Sequence, residues 1–293
     1  MGERSWPFGP ERDIRIGIAA AAKCEAPYLL EWIAFHRTVG IRTFFIADNG
    51  GDDGTSDLLE RLHQAKIITR FDFIGRPVIQ NTCYTEMVPR MRGVVDLAAI
   101  IDCDEFIRPL EGQRADSLLA SFFANPQVSA LALNWAIYGS SGHISDEPGL
   151  VTERFTQRSE RTFAENAHVK SVVRVDRFRS CDHPHYSNLS RGRFIDTTGG
   201  DVVWGPNQIP GISAKCAWKK VRLDHFVVKS REEYETIKRN RGRSDLPPDH
   251  PHYIRDAGFF PNYDRNDVFD PMPSSLVENT KVEISSMRSR LKL

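Results

Sequence analysis

Leu97-Ala-Ala-Ile-Ile-Asp-Cys-Asp-Glu-Phe106 is the stretch on which the fold turns. Leu97 to Ile101 is short and wholly apolar, as a strand buried on both faces of a parallel sheet must be. It breaks into Asp102-Cys-Asp104, two carboxylates one residue apart at the strand's carboxyl end. In open α/β sheets ligands bind outside the carboxyl ends of the strands. The placement of this acidic pair therefore carries more than its composition.

Working back from it, Ile14 to Ala19 reads as a buried strand, and Pro27 suits the first turn of a helix. Tyr28 to Val39 carries Leu29, Leu30, Ile33 and Val39 at helical spacing, and Gly40 is a stop. Ile41 to Ala47 is a second strand, which ends in the turn-rich run Asp48-Asn-Gly-Gly-Asp-Asp-Gly-Thr55. Ser56 to Gln64 follows as a short helix with Thr55 or Asp53 as its cap, then a brief strand at Lys66 to Arg70. Gln80 to Arg92 is a helix that Pro89 kinks or ends. The β-α-β-α-β order predicts an α/β fold: a mainly parallel, Rossmann-like sheet flanked by helices. It places a second acidic cluster, Asp48 with Asp52 and Asp53, at another strand end.

Working forward, the pattern changes from about Ala124. Val128 to Leu133 reads as a strand and Asn134 to His143 as a turn-forming, aromatic stretch. Beyond Val169 come short strands such as Ser171 to Val175, in sequence rich in Arg, His and Gly. Pro247-Pro248 and Phe259 to Pro273 read as irregular chain wrapping the surface. The organisation expected is one domain over 1–293. Residues 1–125 form a ligand-binding half, 126–245 a smaller acceptor-side half, and 246–293 a C-terminal extension.

With 293 residues, 40% of them hydrophobic, the chain is long enough for a sizeable core. Lys+Arg and Asp+Glu are both 39, which gives no bulk electrostatic footprint for nucleic acid. The apolar run Leu29 to Phe35 is interrupted by Glu31 and is far short of a membrane span. Met1 to Pro7 lacks the apolar core of a signal peptide. Cys24, Cys83, Cys103, Cys181 and Cys216 are odd in number and contain no CxxC pair, so free thiols in a reducing cytoplasm are expected.

Two carboxylates at a strand end suit a hard cation such as Mn²⁺ or Mg²⁺, which takes oxygen ligands and keeps positions open for substrate phosphates. An Asp-x-Asp triplet also arises by chance about once in a chain of this length, and capping a turn is the plain alternative. Asp48 could accept hydrogen bonds from a base or ribose, or simply build its own turn. There is no Walker A or GxGxxG sequence. His225 could complete a metal shell or be structural. His183 and His185 flank Pro184 in a loop. Lys238, Arg239, Arg241 and Arg243 could neutralise a diphosphate or form a solvated helix end.

Taken together, these segments resemble the family 2-like and family 92 glycosyltransferases. The resemblance is carried by Lys23-Cys-Glu with Glu31-Trp32, His36 and Gly40; by Asp48-Asn49 with Asp53-Gly-Thr55; and by Asp102-Cys-Asp-Glu-Phe106. Tyr138-Gly-Ser-Ser-Gly-His143, Val169-Lys-Ser-Val-Val-Arg174 and Asp224-His-Phe-Val-Val-Lys-Ser230 with Arg241 continue it, so it spans about 14–243. Cys24 departs from the usual Asn, and Gly50-Gly51 from a Ser-containing turn.

The resemblance implies a GT-A fold, a nucleoside-diphosphate sugar donor and a divalent cation. Asp102 and Asp104 would hold the ion with His225 as a further ligand. Glu25 and Asp48 would face the nucleoside, Lys170, Arg174, Lys229 and Arg241 the diphosphate or acceptor, and Lys23 is a further donor-binding residue. It favours inversion, which needs a base on the acceptor side. Asp146, Glu147, Asp182 and Asp201 are candidates, with Asp182 preferred. The acceptor expected is a glycan or lipid-linked glycan, met in the cytoplasm or by peripheral contact with a membrane. A nucleotidyltransferase using the same Asp pair, or a non-catalytic carbohydrate-binding protein on the same shell, are the rival readings.

Overall fold

The computed structural model describes residues 14–76, 79–112, 114–243 and 245–293; Met1 to Pro7, read above, lie outside them. The first half runs β1 (Ile16–Ala22), α1 (Ala26–Thr38), β2 (Thr43–Asp48), α2 (Thr55–Gln64), β3 (Thr69–Asp72), α3 (Ile79–Met87), β4 (Leu97–Ile100), β5 (Glu105–Pro109) and α4 (Ala115–Phe122). There follow β6 (Val128–Ile137), α5 (Val151–Arg154), β7 (Gln157–Arg158), β8 (Val169–Arg174), β9 (Phe178–His183), β10 (Tyr186–Leu189), β11 (Arg193–Ile195) and β12 (Val221–His225). The chain closes with α6 (Arg231–Glu233), α7 (Phe259–Tyr263), β13 (Val268–Phe269) and α8 (Ser274–Leu291).

Nine strands form the main sheet in the order β3-β2-β1-β4-β8-β6-β12-β5, with β11 alongside β6. β3, β2, β1 and β4 are mutually parallel, whereas β8 is antiparallel to both β4 and β6, and β5 to β12. This is the mixed α/β, mainly parallel architecture read from the sequence.

Side chains alternate across a strand, and β1 and β4 divide their residues between two apolar layers. Ile18, Ala20, Leu97 and Ala99 pack with Trp32, Phe35 and Leu59 on one face. Ala19, Ala98 and Ile100 pack with Tyr84, Met87 and Val173 on the other. Helix α1 begins with Pro27 in its first turn and stops before Gly40, whose φ of +101° excludes other residues at little strain. A Cβ there would also meet the Asp116 carboxylate at 2.5 Å.

Three local readings change. Helix α2 is capped by Gly54 in the left-handed region; Asp53 instead accepts the Thr55 N–H and hydroxyl at 3.0 and 2.7 Å. Asn134 to Ile137 continues β6, because Asn134 satisfies itself inside the sheet, donating to Asn166 O and Ser213 Oγ at 2.9 and 2.8 Å. The C-terminal segment is not irregular throughout. It holds α7 and β13 and leads to α8, which lies on α1 and buries Leu276, Val277, Thr280, Ile284, Met287 and Leu291.

Candidate active site

A cavity of about 340 Å³ opens at the carboxyl ends of β1 and β4. The chain leaves the sheet there twice, through Lys23 and Glu25 after β1 and through Asp102 to Asp104 after β4. Segments from the far end of the sequence, with Arg241, Arg255, Phe259 and Tyr263, supply the opposite wall.

Asp102 is fixed by three donors. Gln80 Nε2 and Tyr84 OH donate to Oδ1 at 2.8 and 3.0 Å, and Lys170 Nζ to Oδ2 at 2.9 Å. Burial alone would lower the Lys170 ammonium, but Asp102 and Glu105 outweigh it and hold it protonated. Asp104 is buried. Lys238 Nζ donates to its Oδ2, and His225 Nε2 stands 3.4 Å from Oδ1. The β5–β12 ladder brings His225 there, since it pairs His225 with Glu105. Burial opposes ionisation of Asp104, yet the Lys238 ammonium, with His225 beside it, holds its carboxyl well below the usual range. Burial in turn lowers Lys238 to about 8, against the pull of Asp104.

Glu105 organises the loop from beneath. Its Oε2 accepts the Asp102 N–H at 2.9 Å and its Oε1 the Trp135 indole N–H at 2.7 Å, with Lys170 Nζ at 3.8 Å. Burial pushes this carboxyl up; Lys170 and the two N–H groups favour its ionised form. Across the cavity Arg241 donates to Glu25 Oε1 and, at 2.9 Å, to Lys23 O, while Lys23 Nζ reaches Tyr253 OH at 3.1 Å. Glu25 Oε2 is buried without a hydrogen-bond partner.

The remaining wall is aromatic. Trp135 stacks on His168 (centroids 4.9 Å, planes 26° apart) and touches the rings of His185 and His225 at 4.9 and 4.4 Å. His185 places Nδ1 3.1 Å from Val169 O.

Lys23, Glu25, Asp102, Asp104, His225 and Arg241 thus meet at one cavity, with Lys170 behind Asp102. Four other candidates do not line it. Arg174 sits at the far end of β8 from Lys170 and donates to Val128 O and Phe123 O at 2.8 and 2.6 Å, so it ties down backbone. Lys229 lies over the Tyr28 ring at 4.1 Å. Asp48 has both oxygens engaged, by Gly50 N, Ser56 Oγ and the Arg70 guanidinium at 2.8–2.9 Å, and shapes its own loop. Asp182 is exposed and its Oδ2 accepts from Asn188 at 2.6 Å. Trp135, His168, Tyr253, Arg255, Phe259 and Tyr263 were not singled out by the sequence; they come from separate segments that only the tertiary fold brings together.

The cation reading can be tested on the donors. Among the described residues no group of three or more His, Cys, Asp or Glu side chains converges on a metal position. Asp104 and His225 do offer an adjacent carboxylate and imidazole, and His225 Nδ1 is buried without a partner. Mg²⁺ and chemically similar ions are commonly held by one or two protein ligands, with substrate phosphates and water filling the rest. The pair fits that mode. Asp102, held by Lys170, Gln80 and Tyr84, is the less available of the two carboxylates.

A family model, Glycosyltransferase family 92, matches residues 22–202, more than half of the chain. The chain belongs to glycosyltransferase family 92. A glycosyltransferase family 92 protein of Oryza sativa subsp. japonica is 28% identical over 153 residues, covering 52% of this chain and 25% of the relative. One from Ricinus communis is 24% identical over 199 residues, covering 66% and 35%, and one from Arabidopsis thaliana is 25% identical over 178, covering 57% and 30%. The chain spans about a quarter to a third of the length of these curated relatives. Among solved structures, S. aureus TarS in complex with UDP is similar with a TM-score of 0.38 and 10% identity, over 55% of this chain and 47% of that one. The family 92 match contains Lys23, Glu25, Asp102, Asp104 and Lys170; His225, Lys238 and Arg241 lie beyond it.

Proposed function

We propose that this chain is a metal-dependent glycosyltransferase that moves a sugar from a nucleoside diphosphate to an acceptor hydroxyl of a glycan, with inversion. The observation that carries the reading is the Asp104–His225 pair facing a cavity that also gathers five cationic side chains, Lys23, Lys238, Arg241, Arg243 and Arg255. Family 92 membership gives the reaction class.

In this reading Asp104 and His225 hold Mn²⁺ or Mg²⁺, which offsets the negative charge of the departing diphosphate. Lys238 and Arg241 add fixed positive charge against the same phosphates. Asp102, immobilised by three donors, presents its carboxylate toward the sugar nucleotide. Glu25 and Lys23, the latter held by Tyr253, form the wall nearest the β1 end, where the nucleoside would lie. The five cysteines are free, and no helix among the described residues is long and apolar enough to cross a membrane.

The reaction products separate this reading from a nucleotidyltransferase on the same Asp pair. Incubation with a panel of nucleoside-diphosphate sugars, Mn²⁺ and simple glycoside acceptors should release nucleoside diphosphate. Pyrophosphate release would replace the reading with its rival, and no release from any donor would favour a non-catalytic binding protein.

A further inference from the structure

Inverting transfer needs a proton acceptor beside the acceptor hydroxyl, and the preferred carboxylate, Asp182, does not line the cavity. The carboxylates that do line it are engaged. Asp102 and Asp104 hold lysines, Glu25 holds Arg241, and Asp245 accepts from Arg243 at 2.6 and 2.9 Å, which keeps its carboxyl below the usual range despite burial. Each is already paired with a cation.

His168 is built differently. It follows the short helical turn Ala164–Ala167 and lies flat against Trp135, with 24% of its side chain exposed on the cavity wall. Its Nδ1 is 3.1 Å from Glu165 O and 3.3 Å from Glu165 Oε2. Two acceptors facing one nitrogen place the proton there and leave the lone pair on Nε2. Tyr263 OH donates to the same Glu165 Oε2 at 2.9 Å, which holds the carboxylate in place. A carboxylate orients an imidazole, and a second residue orients the carboxylate. This is the arrangement of a general base with its positioning group.

We propose that His168 Nε2 takes the proton of the acceptor hydroxyl, with Glu165 and Tyr263 as positioning residues. The proposal rests on the glycosyl-transfer reading above. The acceptor oxygen forms a bond to the sugar's anomeric carbon as the bond from that carbon to the phosphate oxygen breaks. The nucleoside diphosphate leaves with the electron pair, the hydroxyl proton passes to Nε2, and the imidazolium then returns it to water. The other groups facing His168 are His185, His183 and, further back, the Lys170 ammonium. Burial and Lys170 press His185 well below the usual imidazole range, so it adds no positive charge beside the base at neutral pH.

The test compares wild type with His168→Gln, His168→Ala and Glu165→Gln in two assays. One is the Mn²⁺-dependent thermal shift with nucleoside diphosphates; the other is transfer kcat against pH with the donor that wild type uses. The expected results are nucleotide shifts within about twofold of wild type and a kcat lower by about 10²–10⁴-fold in His168→Gln with loss of the acid limb of the profile. Added imidazole should partly restore His168→Ala. In Glu165→Gln kcat should fall while KM for the donor stays near wild type, because the imidazole loses the group that orients it. A His168→Gln enzyme within threefold of wild-type kcat and with the same pH profile would overturn the base assignment and leave the transfer reading standing. Loss of nucleotide binding in His168→Gln and His168→Ala, with no rescue by imidazole, would reduce His168 to a structural part. A wild-type protein that binds no nucleotide and releases none would sink the transfer reading itself.

Discussion

Glu105→Gln isolates the geometry on which the site depends, because it changes hydrogen-bonding capacity and charge without changing shape. In the native protein each carboxylate oxygen accepts one buried N–H, from Asp102 at 2.9 Å and from Trp135 at 2.7 Å. An amide has one oxygen and one NH₂ group. Whichever way it turns, a donor faces a donor, and one buried N–H loses its partner. That costs about 1–3 kcal/mol, and the nearby Lys170 charge, 3.8 Å away, loses part of its compensation as well. At about 2–4 °C per kcal/mol for large domains, the melting temperature should fall by roughly 2–12 °C. The Asp102 loop is hung from Glu105, so the Mn²⁺-dependent nucleotide affinity should weaken alongside. Differential scanning calorimetry with and without nucleotide reads both. A variant that melts within about 1 °C of wild type and binds nucleotide equally well would refute the role assigned to Glu105.

Asp104→Asn removes both the cation ligand and the counter-charge of buried Lys238; transfer should fall by at least about 10²-fold, and the Mn²⁺ dependence of nucleotide binding, read by thermal shift, should vanish. An unchanged rate would end the metal assignment. Gly192→Ala should destabilise by about 2–4 kcal/mol in urea unfolding. Gly192 has φ +91°, and a Cβ there would collide with Ser129 Oγ, the acceptor of Arg177 Nη1 at 2.7 Å; an unaffected midpoint would show that this turn yields. His36 predicts an acid effect. Burial lowers its imidazole to about 3; Nδ1 faces Trp32 O at 2.8 Å and Nε2 the Ile107 N–H at 3.2 Å. Because the folded value is depressed, the contribution is complete above about pH 6.5 and is lost as the pH falls toward 3, at about 1.4 kcal/mol per unit. Wild type should therefore lose about 2 kcal/mol more than His36→Gln between pH 6.5 and 5; parallel pH curves for the two would rule it out.

The first hundred residues were legible because their signals are local. Apolar runs, Pro27, Gly40 and the carboxylates at strand ends each report on their own neighbourhood. The Asp102–Asp104 loop, Glu25 and His225 were placed together by a resemblance of motifs, and they line one cavity. What the motifs did not bring to the cavity depends on distance. Arg174 shares a motif with Lys170, but four residues of strand carry it to the far end of β8, where its donors meet carbonyls. Asp182 adjoins the His pair in sequence, yet it is exposed on β9 with its carboxylate accepting from Asn188, and only His185, past the end of that strand, reaches the cavity. Helix α8 did leave a trace, since Leu276, Val277, Thr280, Ile284, Met287 and Leu291 share one helical face; the polar residues between them masked it. The pairing of Glu165 with His168, three residues on, is readable as spacing. Its stacking on Trp135 and its tie to Tyr263 come only from the fold.

The central claim is that the cavity takes a nucleoside diphosphate together with a divalent cation. The measurement that tests it most directly is a thermal-shift titration of uridine, guanosine, cytidine and thymidine diphosphates, each with and without Mn²⁺, on wild type and Asp104→Asn. A ligand specific to the folded state adds about 2.7 kcal/mol at a hundred times its dissociation constant. One nucleotide should stabilise the wild type in a manner that depends on Mn²⁺ and is lost in Asp104→Asn. Stabilisation that ignores both the ion and the substitution, or none with any nucleotide, would contradict the claim.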